Sequence, residues 1–322
     1  MSVQVRSSLM RVVANSIPKS GTHLLDRLLV LLGLGLIDLG GLGGLVDLEG
    51  IKPNLVEAGR FSLVRQRLGP RFRLRKPEDI MPIGPHLLEG GLVPPARRLL
   101  RGRGAKVTVG VVTPQQIGRR WLARRLSRVP NGCFVNAHCI YTPELAELFR
   151  GEGFKTVCLL RDPRDVAVSQ MHYLKRQRKH FAHEAFMALS SDHERLLVCI
   201  RGGELGGRKL QSLDQRYRQF LGWEQDEGAV VVKFEDLVGP RGGGSAEVQR
   251  RAVERVATHV GILLNERKMR LVEENLFGVG RTFRKGQIGG WREEFSPEHE
   301  RAAKEVAGPL LLELGYEAGP NW

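Results

Sequence analysis

Residues 11–23 read RVVANSIPKSGTH, and the apolar run Leu24–Leu36 follows them directly. The mostly apolar, partly β-branched residues before the proline favour a buried strand, and the leucine-rich run favours a helix. The proline and the glycine between these two segments favour a tight turn. The stretch therefore predicts a strand over Arg11–Ile17, a tight loop, and a helix over Leu24–Leu36.

The loop of this unit, residues 18–23, has the features of an anion site. Backbone N–H groups converge where a strand turns into a helix, and the helix N-terminus adds positive potential. Lys19 adds a full charge. The loop is not a Walker A sequence, because its lysine precedes the glycine and the pattern GxxxxGK is absent. An ordinary turn between a strand and a helix would have the same sequence features, so the loop by itself leaves both interpretations open.

Strands and helices alternate along the rest of the chain. No sustained hairpin pattern interrupts them, which favours a parallel sheet of four or five strands, flanked by helices on both faces, in an α/β domain. Thr142 is a suitable N-cap and Pro143 a suitable first-turn residue for one of the helices. The predicted strands are Cys133–His138, Lys155–Leu160 and Ala229–Phe234, and the predicted helices cover about 143–150, 163–178, 213–224, 246–260, 266–276 and 297–313.

A second segment, residues 157–169, reads VCLLRDPRDVAVS and is suited to binding a phosphate. It places Arg161 at the end of a strand and Ser169 eight residues later on the following helix. A guanidinium and a hydroxyl in this arrangement can share one phosphate. The alternative is that Arg161 pairs with Asp162 or Asp165 and that Ser169 is an ordinary helix residue.

A third segment, residues 283–291, reads FRKGQIGGW. Arg284 and Lys285 supply charge, and Gly286 lets backbone N–H groups approach a phosphate closely. Taken by itself, a basic dipeptide beside a glycine is more often a solvated loop. The order of the three segments in the chain is what makes the third informative.

In this order the segments resemble three motifs of the sulfotransferases that use 3′-phosphoadenosine 5′-phosphosulfate, PAPS. The resemblance covers about residues 11–25, 133–175, 229–238 and 281–300, and it implies a single P-loop-kinase-like domain over 1–322 with PAPS as co-substrate. The sequence has no conspicuous acidic metal cluster, so we expect no metal. The resemblance also implies in-line transfer of the sulfuryl group to a hydroxyl or amine of an acceptor that the sequence does not identify. The implied donor-binding residues are Lys19, Ser20, Gly21, Thr22 and His23 at the phosphosulfate, and Arg161, Ser169, Arg284, Lys285 and Gly286 at the 3′-phosphate.

Two catalytic residues follow from the same resemblance. Lys19 would neutralise the charge that grows on the bridging and leaving phosphate oxygens. The family places a histidine at the end of the strand before the 3′-phosphate motif, and His138 has this position here. An imidazole that titrates near neutrality suits a general base. His23, His172 and His180 are the competing candidates for the base.

The chain departs from the cytosolic sulfotransferases at three positions. Asn136 replaces the lysine that the family has two residues before the catalytic histidine, and it brings no charge. Leu24 replaces a tryptophan after the phosphosulfate loop, which leaves the stacking of adenine open. Phe234 replaces the tyrosine of the family's Tyr-Glu-Asp segment and keeps an aromatic ring.

The positive charge of the chain is concentrated in one segment. The net charge is +15, and residues 58–143 contain 17 Lys or Arg against three acidic residues. Much of this segment falls in a basic insertion at about 38–130 that resembles no family motif. We hypothesise that the segment frames the acceptor entrance and favours an anionic acceptor, or a peripheral contact with an anionic membrane surface. Small molecules, lipids and saccharides all remain open as acceptors.

Two other classes of function compete with sulfuryl transfer. One is a P-loop-type kinase that uses ATP, although the Walker lysine position is missing. The other is a non-enzymatic binder of anionic membrane or nucleic acid. Charge is the sole support for it, since the basic segment contains no nucleic-acid motif, and we expect no nucleic-acid partner.

The cysteines and the apolar runs bear on the compartment. Leu28–Leu36 is too short to span a bilayer, and the first residues do not form a signal peptide. The chain has four cysteines, three of them in or beside strand-like apolar runs, which predicts reduced thiols in a cytoplasmic protein. These cysteines are Cys133, Cys139, Cys158 and Cys199.

Overall fold

The centre of the protein is a five-stranded parallel sheet. The structure is a computed structural model that describes residues 10–37, 104–111, 114–178, 180–278 and 286–322. The strand order in the sheet is β2-β5-β1-β6-β9, and two small antiparallel pairs, β3-β4 and β7-β8, lie outside it. In chain order the strands are β1 (Arg11–Ser16), β2 (Gly35–Leu36), β3 (Lys106–Val109), β4 (Gln115–Gly118), β5 (Cys133–Ala137), β6 (Phe154–Leu160), β7 (Gly203–Leu205), β8 (Arg208–Leu210) and β9 (Ala229–Lys233).

Helices cover both faces of this sheet. Alternate residues of β1 enter two different apolar clusters, Val13 on one face and Val12 and Ala14 on the other. In the described ranges the helices are α1 (Thr22–Leu31), α2 (Arg119–Leu126), α3 (Pro143–Gly151), α4 (Pro163–Arg176), α5 (His183–Met187), α6 (Asp192–Arg201), α7 (Leu213–Arg218), α8 (Phe234–Leu237), α9 (Ala246–His259), α10 (Glu266–Asn275) and α11 (Pro297–Glu313).

The layers explain why the strands of the central sheet are mostly apolar. Helices α1, α9 and α10 pack on one face, and α3, α4, α6 and α11 pack on the other. Strands that are buried on both faces read as continuous apolar runs rather than as alternating patterns. The prediction of an α/β domain with a central parallel sheet is confirmed. The sheet has five strands, the larger of the two predicted numbers.

Several predicted boundaries need correction. The helix predicted over Leu24–Leu36 ends at Leu31, because Gly33 adopts a positive φ of 96° and Gly35–Leu36 pairs with β5 as an edge strand. Phe234 begins the short helix α8 instead of ending the strand before it. The cap prediction is confirmed, since the Thr142 hydroxyl accepts from the Leu145 amide at 3.2 Å. Helices α2, α5 and α6 and the two antiparallel pairs were not predicted.

The basic helix α2 packs at the amino edge of the sheet. The Arg11 guanidinium, at the start of β1, donates to the Leu126 carbonyl oxygen at 3.5 Å. Arg119 and Arg120 line a pocket with Gly151, which ends α3 just before β6 begins. The loop after β1 lies at the opposite edge. Helix α2 thus lies away from that loop, and residues 58–103 lie outside the described residues, so the hypothesis that the basic segment frames the acceptor entrance stays a prediction.

The remaining predictions concern the cysteines, a membrane span and the extent of the domain. All four cysteines are buried and free. Within the described residues no helix is long and apolar enough to cross a membrane. Most of the basic insertion at about 38–130 lies outside the described residues, and the single domain over 1–322 stays a prediction.

Candidate functional site

The loop between β1 and α1 bends sharply at the carboxyl edge of the sheet. Lys19 has a φ of 76° and Gly21 a φ of 111°, both in the left-handed region. Such a conformation is rare for a residue with a side chain and is found at functional sites. No side chain caps the N-terminus of α1, and its first turn contains no acidic residue. The first-turn amides therefore point out of the helix and carry its positive potential toward the loop.

Buried contacts hold this loop in place. The Ser20 hydroxyl donates to the carbonyl oxygens of Ile17, at 2.7 Å, and Leu159, at 3.2 Å. A Cβ on Gly21 would stand 2.7 Å from the Phe234 ring, so only glycine fits at this position. The Thr22 hydroxyl lies 2.8 Å from that of Ser16. Three of the predicted phosphosulfate residues thus shape the loop, whichever anion it binds.

Lys19 extends from this loop into a group of cations. Its ammonium lies 4.2 Å from the centre of the Tyr173 ring. Burial lowers the Lys19 pKa to about 8, and the nearby charges of Arg176 and Arg161 add to the shift. Among the described residues, no carboxylate forms an ion pair with Lys19 or Arg176. Three cations of which only Arg161 is paired in the described ranges, with Asp165, favour an anion between them.

The pH dependence of anion binding follows from this pKa. A Lys19 pKa of about 8 means that the charge is present below pH 8 and lost as the pH rises through it. The affinity of the free protein for adenosine 3′,5′-bisphosphate, PAP, should therefore fall through this range, as titration calorimetry on either side of pH 8 can measure. The control is Lys19→Arg, which stays charged and should show no step there. An identical step in both proteins would assign the titration to another group.

Arg161 directly follows β6 and lies beside residues 286–291, the described part of the third motif. It donates to the Gln287 carbonyl oxygen at 3.2 Å and lies 3.3 Å from Asp165. Its guanidinium carbon stands 4.2 Å from the centre of the Phe234 ring, and its Nε is buried without a partner. The ion pair with Asp165 does occur, whereas Asp162 pairs with Arg164 instead. Arg161 therefore keeps donor capacity that these contacts do not use.

Asp165, in α4, binds residues 286–291 through two hydrogen bonds. Its carboxylate accepts from the Gly289 amide at 3.1 Å and from the Trp291 amide at 2.8 Å. Burial raises the Asp165 pKa, and the Arg161 charge opposes the shift. Gly286 adopts a φ of 62° next to Gln287. The predicted residues Arg284 and Lys285 lie outside the described residues.

Helix α4 presents one face to this group of cations. Ser169 is partly buried, and Tyr173 and Arg176 follow it after four and seven residues, which places all three on one side of the helix. Tyr173 and Arg176 were not among the predicted site residues. Their helical spacing from Ser169 is the signal in the sequence that could have identified them.

His138 follows β5 directly and faces the start of the loop. Its Nδ1 lies 2.6 Å from the Ser16 carbonyl oxygen and 3.2 Å from the Ser16 hydroxyl. A carbonyl oxygen can only accept, so Nδ1 carries the hydrogen and the lone pair of the neutral ring is on Nε2. This tautomer is the one that a general base acting through Nε2 requires.

The other histidines are arranged differently. His23 is exposed and lies 3.8 Å from Asp26. His172 pairs with Glu294 at 3.0 Å. His180 packs against the ring of Phe181, and burial lowers its pKa. Of the three competitors, His23 is the one beside the loop, in the first turn of α1.

Solved structures of other proteins have a fold similar to that of this chain. The crystal structure of mouse sulfotransferase SULT7A1 complexed with PAP has a TM-score of 0.53 to this chain and is 14% identical, covering 94% of this chain and 84% of that one. The chain has a sulfotransferase fold. Two structures of retinol dehydratase, one with androsterone and inactive cofactor PAP and one with retinol and PAP, have TM-scores of 0.48 at 18% identity, covering 94% of this chain and 80% and 81% of theirs. No family model and no curated protein sequence matches the chain.

Proposed function

We propose that the protein is a sulfotransferase that moves the sulfuryl group of PAPS to a hydroxyl or amine of a small acceptor. The observation that carries the proposal is the group of Lys19, Arg161 and Arg176 at the carboxyl edge of the sheet, with Asp165 as its one paired carboxylate in the described ranges. In open α/β sheets, ligands bind at this edge. The sulfotransferase fold supports the same reading.

The donor would bind along the three segments. Lys19 and the first-turn amides of α1 suit the phosphosulfate, and Arg161, Ser169 and the segment that begins with Arg284, Lys285 and Gly286 suit the 3′-phosphate. In the transfer, the acceptor oxygen or nitrogen forms a bond to sulfur while the bond from sulfur to the 5′-phosphate oxygen breaks and PAP leaves. His138 takes the acceptor proton, and Lys19 offsets the charge on the leaving phosphate.

Binding of PAP and of ADP distinguishes a PAPS-dependent sulfotransferase from an ATP-dependent kinase. PAP should raise the melting temperature far more than ADP does, because a ligand that binds only the folded protein stabilises it by mass action, and the 3′-phosphate adds contacts that ADP lacks. Differential scanning fluorimetry at equal ligand concentrations gives the comparison. A shift with ADP that equals or exceeds the shift with PAP would reject the sulfotransferase proposal in favour of an ATP-dependent enzyme.

Replacement of Arg161 tests the 3′-phosphate assignment. Arg161→Ala should weaken PAP binding by about 1.5 to 3 kcal/mol, the range for a hydrogen bond to a charged group, and should leave ADP binding nearly unchanged. Arg218→Ala, which removes an exposed arginine paired with Asp214 and Glu313, is the matched control. Equal losses for PAP and ADP would mean that Arg161 supports the fold of the loop instead of the 3′-phosphate.

A further inference from the structure

A buried carboxylate lies one turn into α1, against β5, the strand that the proposed base follows. Asp26 is 2% exposed, and its Oδ2 accepts from the Asn136 amide nitrogen at 3.2 Å. Its Oδ1 is buried without a hydrogen-bond partner. In the described part of the chain, the one basic side chain within 4.0 Å of this carboxylate is His23, whose Nδ1 is 3.8 Å from Oδ2 and therefore beyond hydrogen-bond distance. One of the two carboxylate oxygens of Asp26 thus accepts no hydrogen bond.

Asn136 adds a second unused acceptor at the same place. Its side-chain oxygen, Oδ1, is also buried without a partner. Asn136 lies in β5 two residues before His138, so the Cα atoms of the two residues are at most about 7 Å apart. Two unused oxygen acceptors therefore lie together on α1 and on the strand that leads to His138.

The chemistry of this pair selects one kind of ligand. A buried carboxylate without a partner is costly, and a hydrogen-bonded cation offsets the cost best. A second carboxylate or a sulfate on the acceptor would add repulsion at this position. The arrangement therefore opposes an anionic acceptor, the preference that the basic segment suggested.

We propose that Asp26, supported by Asn136, binds an ammonium group of the acceptor and so positions a hydroxyl at the far end of that acceptor beside His138. This inference rests on the proposed function, because it assigns the acceptor class of the same site. It makes Asp26 a specificity-determining residue. The acceptor class is a small molecule that carries a protonated amine and a nucleophilic hydroxyl at its two ends.

Three phenols that differ only in their distal group test the assignment. Tyramine carries an ammonium, 4-ethylphenol a methyl, and 3-(4-hydroxyphenyl)propanoate a carboxylate. With PAPS as donor, kcat/KM should be highest for tyramine and lowest for the carboxylate. The advantage of tyramine over 4-ethylphenol should be about 10- to 100-fold, the factor that a charged hydrogen bond supplies.

Substitution of the carboxylate should erase this order. Asp26→Asn should lower kcat/KM for tyramine by about 10- to 100-fold and leave 4-ethylphenol nearly unchanged. Asp214→Asn, which changes a carboxylate on the surface helix α7, is the matched control. The parental comparison of the three phenols stands even where a variant fails to fold.

PAP binding separates failure of this inference from failure of the proposed function. If PAP still raises the melting temperature but 4-ethylphenol or the carboxylate equals tyramine, the acceptor assignment is overturned and the sulfotransferase proposal stands. The same conclusion follows if none of the three phenols is sulfated or stabilises the PAP complex. If PAP fails to stabilise the parental protein more than ADP does, the sulfotransferase proposal itself fails.

Discussion

His138→Ala should lower turnover by roughly 10²- to 10⁴-fold, because that is the usual contribution of a general base. PAP affinity should stay close to the parental value, since the proton that His138 would take belongs to the acceptor and not to the donor. Single-turnover transfer from labelled PAPS measures the first quantity, and titration calorimetry with PAP measures the second. His138→Ala also removes the hydrogen bond to the Ser16 carbonyl, so the melting temperature must be measured alongside.

His23→Ala is the matched comparison for this variant. His23 lies in the first turn of α1 and is exposed, so its loss should weaken donor binding and lower turnover together. A His138→Ala protein that retains more than about a tenth of parental turnover lies outside the expected range for a lost general base. The base would then be His23, which the sequence also allowed.

Lys19→Met should lower turnover by roughly 10²- to 10³-fold, the effect of removing one preorganised group that stabilises transition-state charge. Methionine keeps the length of the aliphatic stem, so it can still pack against the Tyr173 ring that Lys19 contacts. The expected loss is larger in turnover than in PAP affinity, because charge on the leaving phosphate grows as the bond to sulfur breaks. Transfer rates at saturating PAPS and PAP calorimetry together give this comparison.

Lys175→Met provides the control for Lys19→Met. Lys175 lies on the same helix as Tyr173, pairs with Asp192 at 2.5 Å, and belongs to no proposed contact with the donor. It should change neither turnover nor affinity. Equal losses of turnover and PAP affinity in Lys19→Met would mean that Lys19 only binds the donor and does not act on the transition state.

Local signals in the sequence were enough to predict most elements of the fold. The strand over residues 11–16, the Thr142 cap and helix α11 follow from periodicity, capping and turn residues that act within a few positions. The helix predicted over Leu24–Leu36 was too long at its C-terminal end, because local signals do not report on pairing with a distant strand. Its last residues are leucine and glycine without periodicity, and their state depends on pairing with β5, a strand about a hundred residues later.

The sequence by itself determined the order of the three motifs, the α/β class and the charges that an anion site needs. Only the tertiary structure decided which side chains meet. The parallel register places His138 beside Ser16, and packing places Asn136 on Asp26 and the Arg176 charge near Lys19. These pairs are separated by more than a hundred residues along the chain and carry no local pattern. They form because burial on both faces of one sheet brings the carboxyl ends of its strands together, and no single segment encodes that approach.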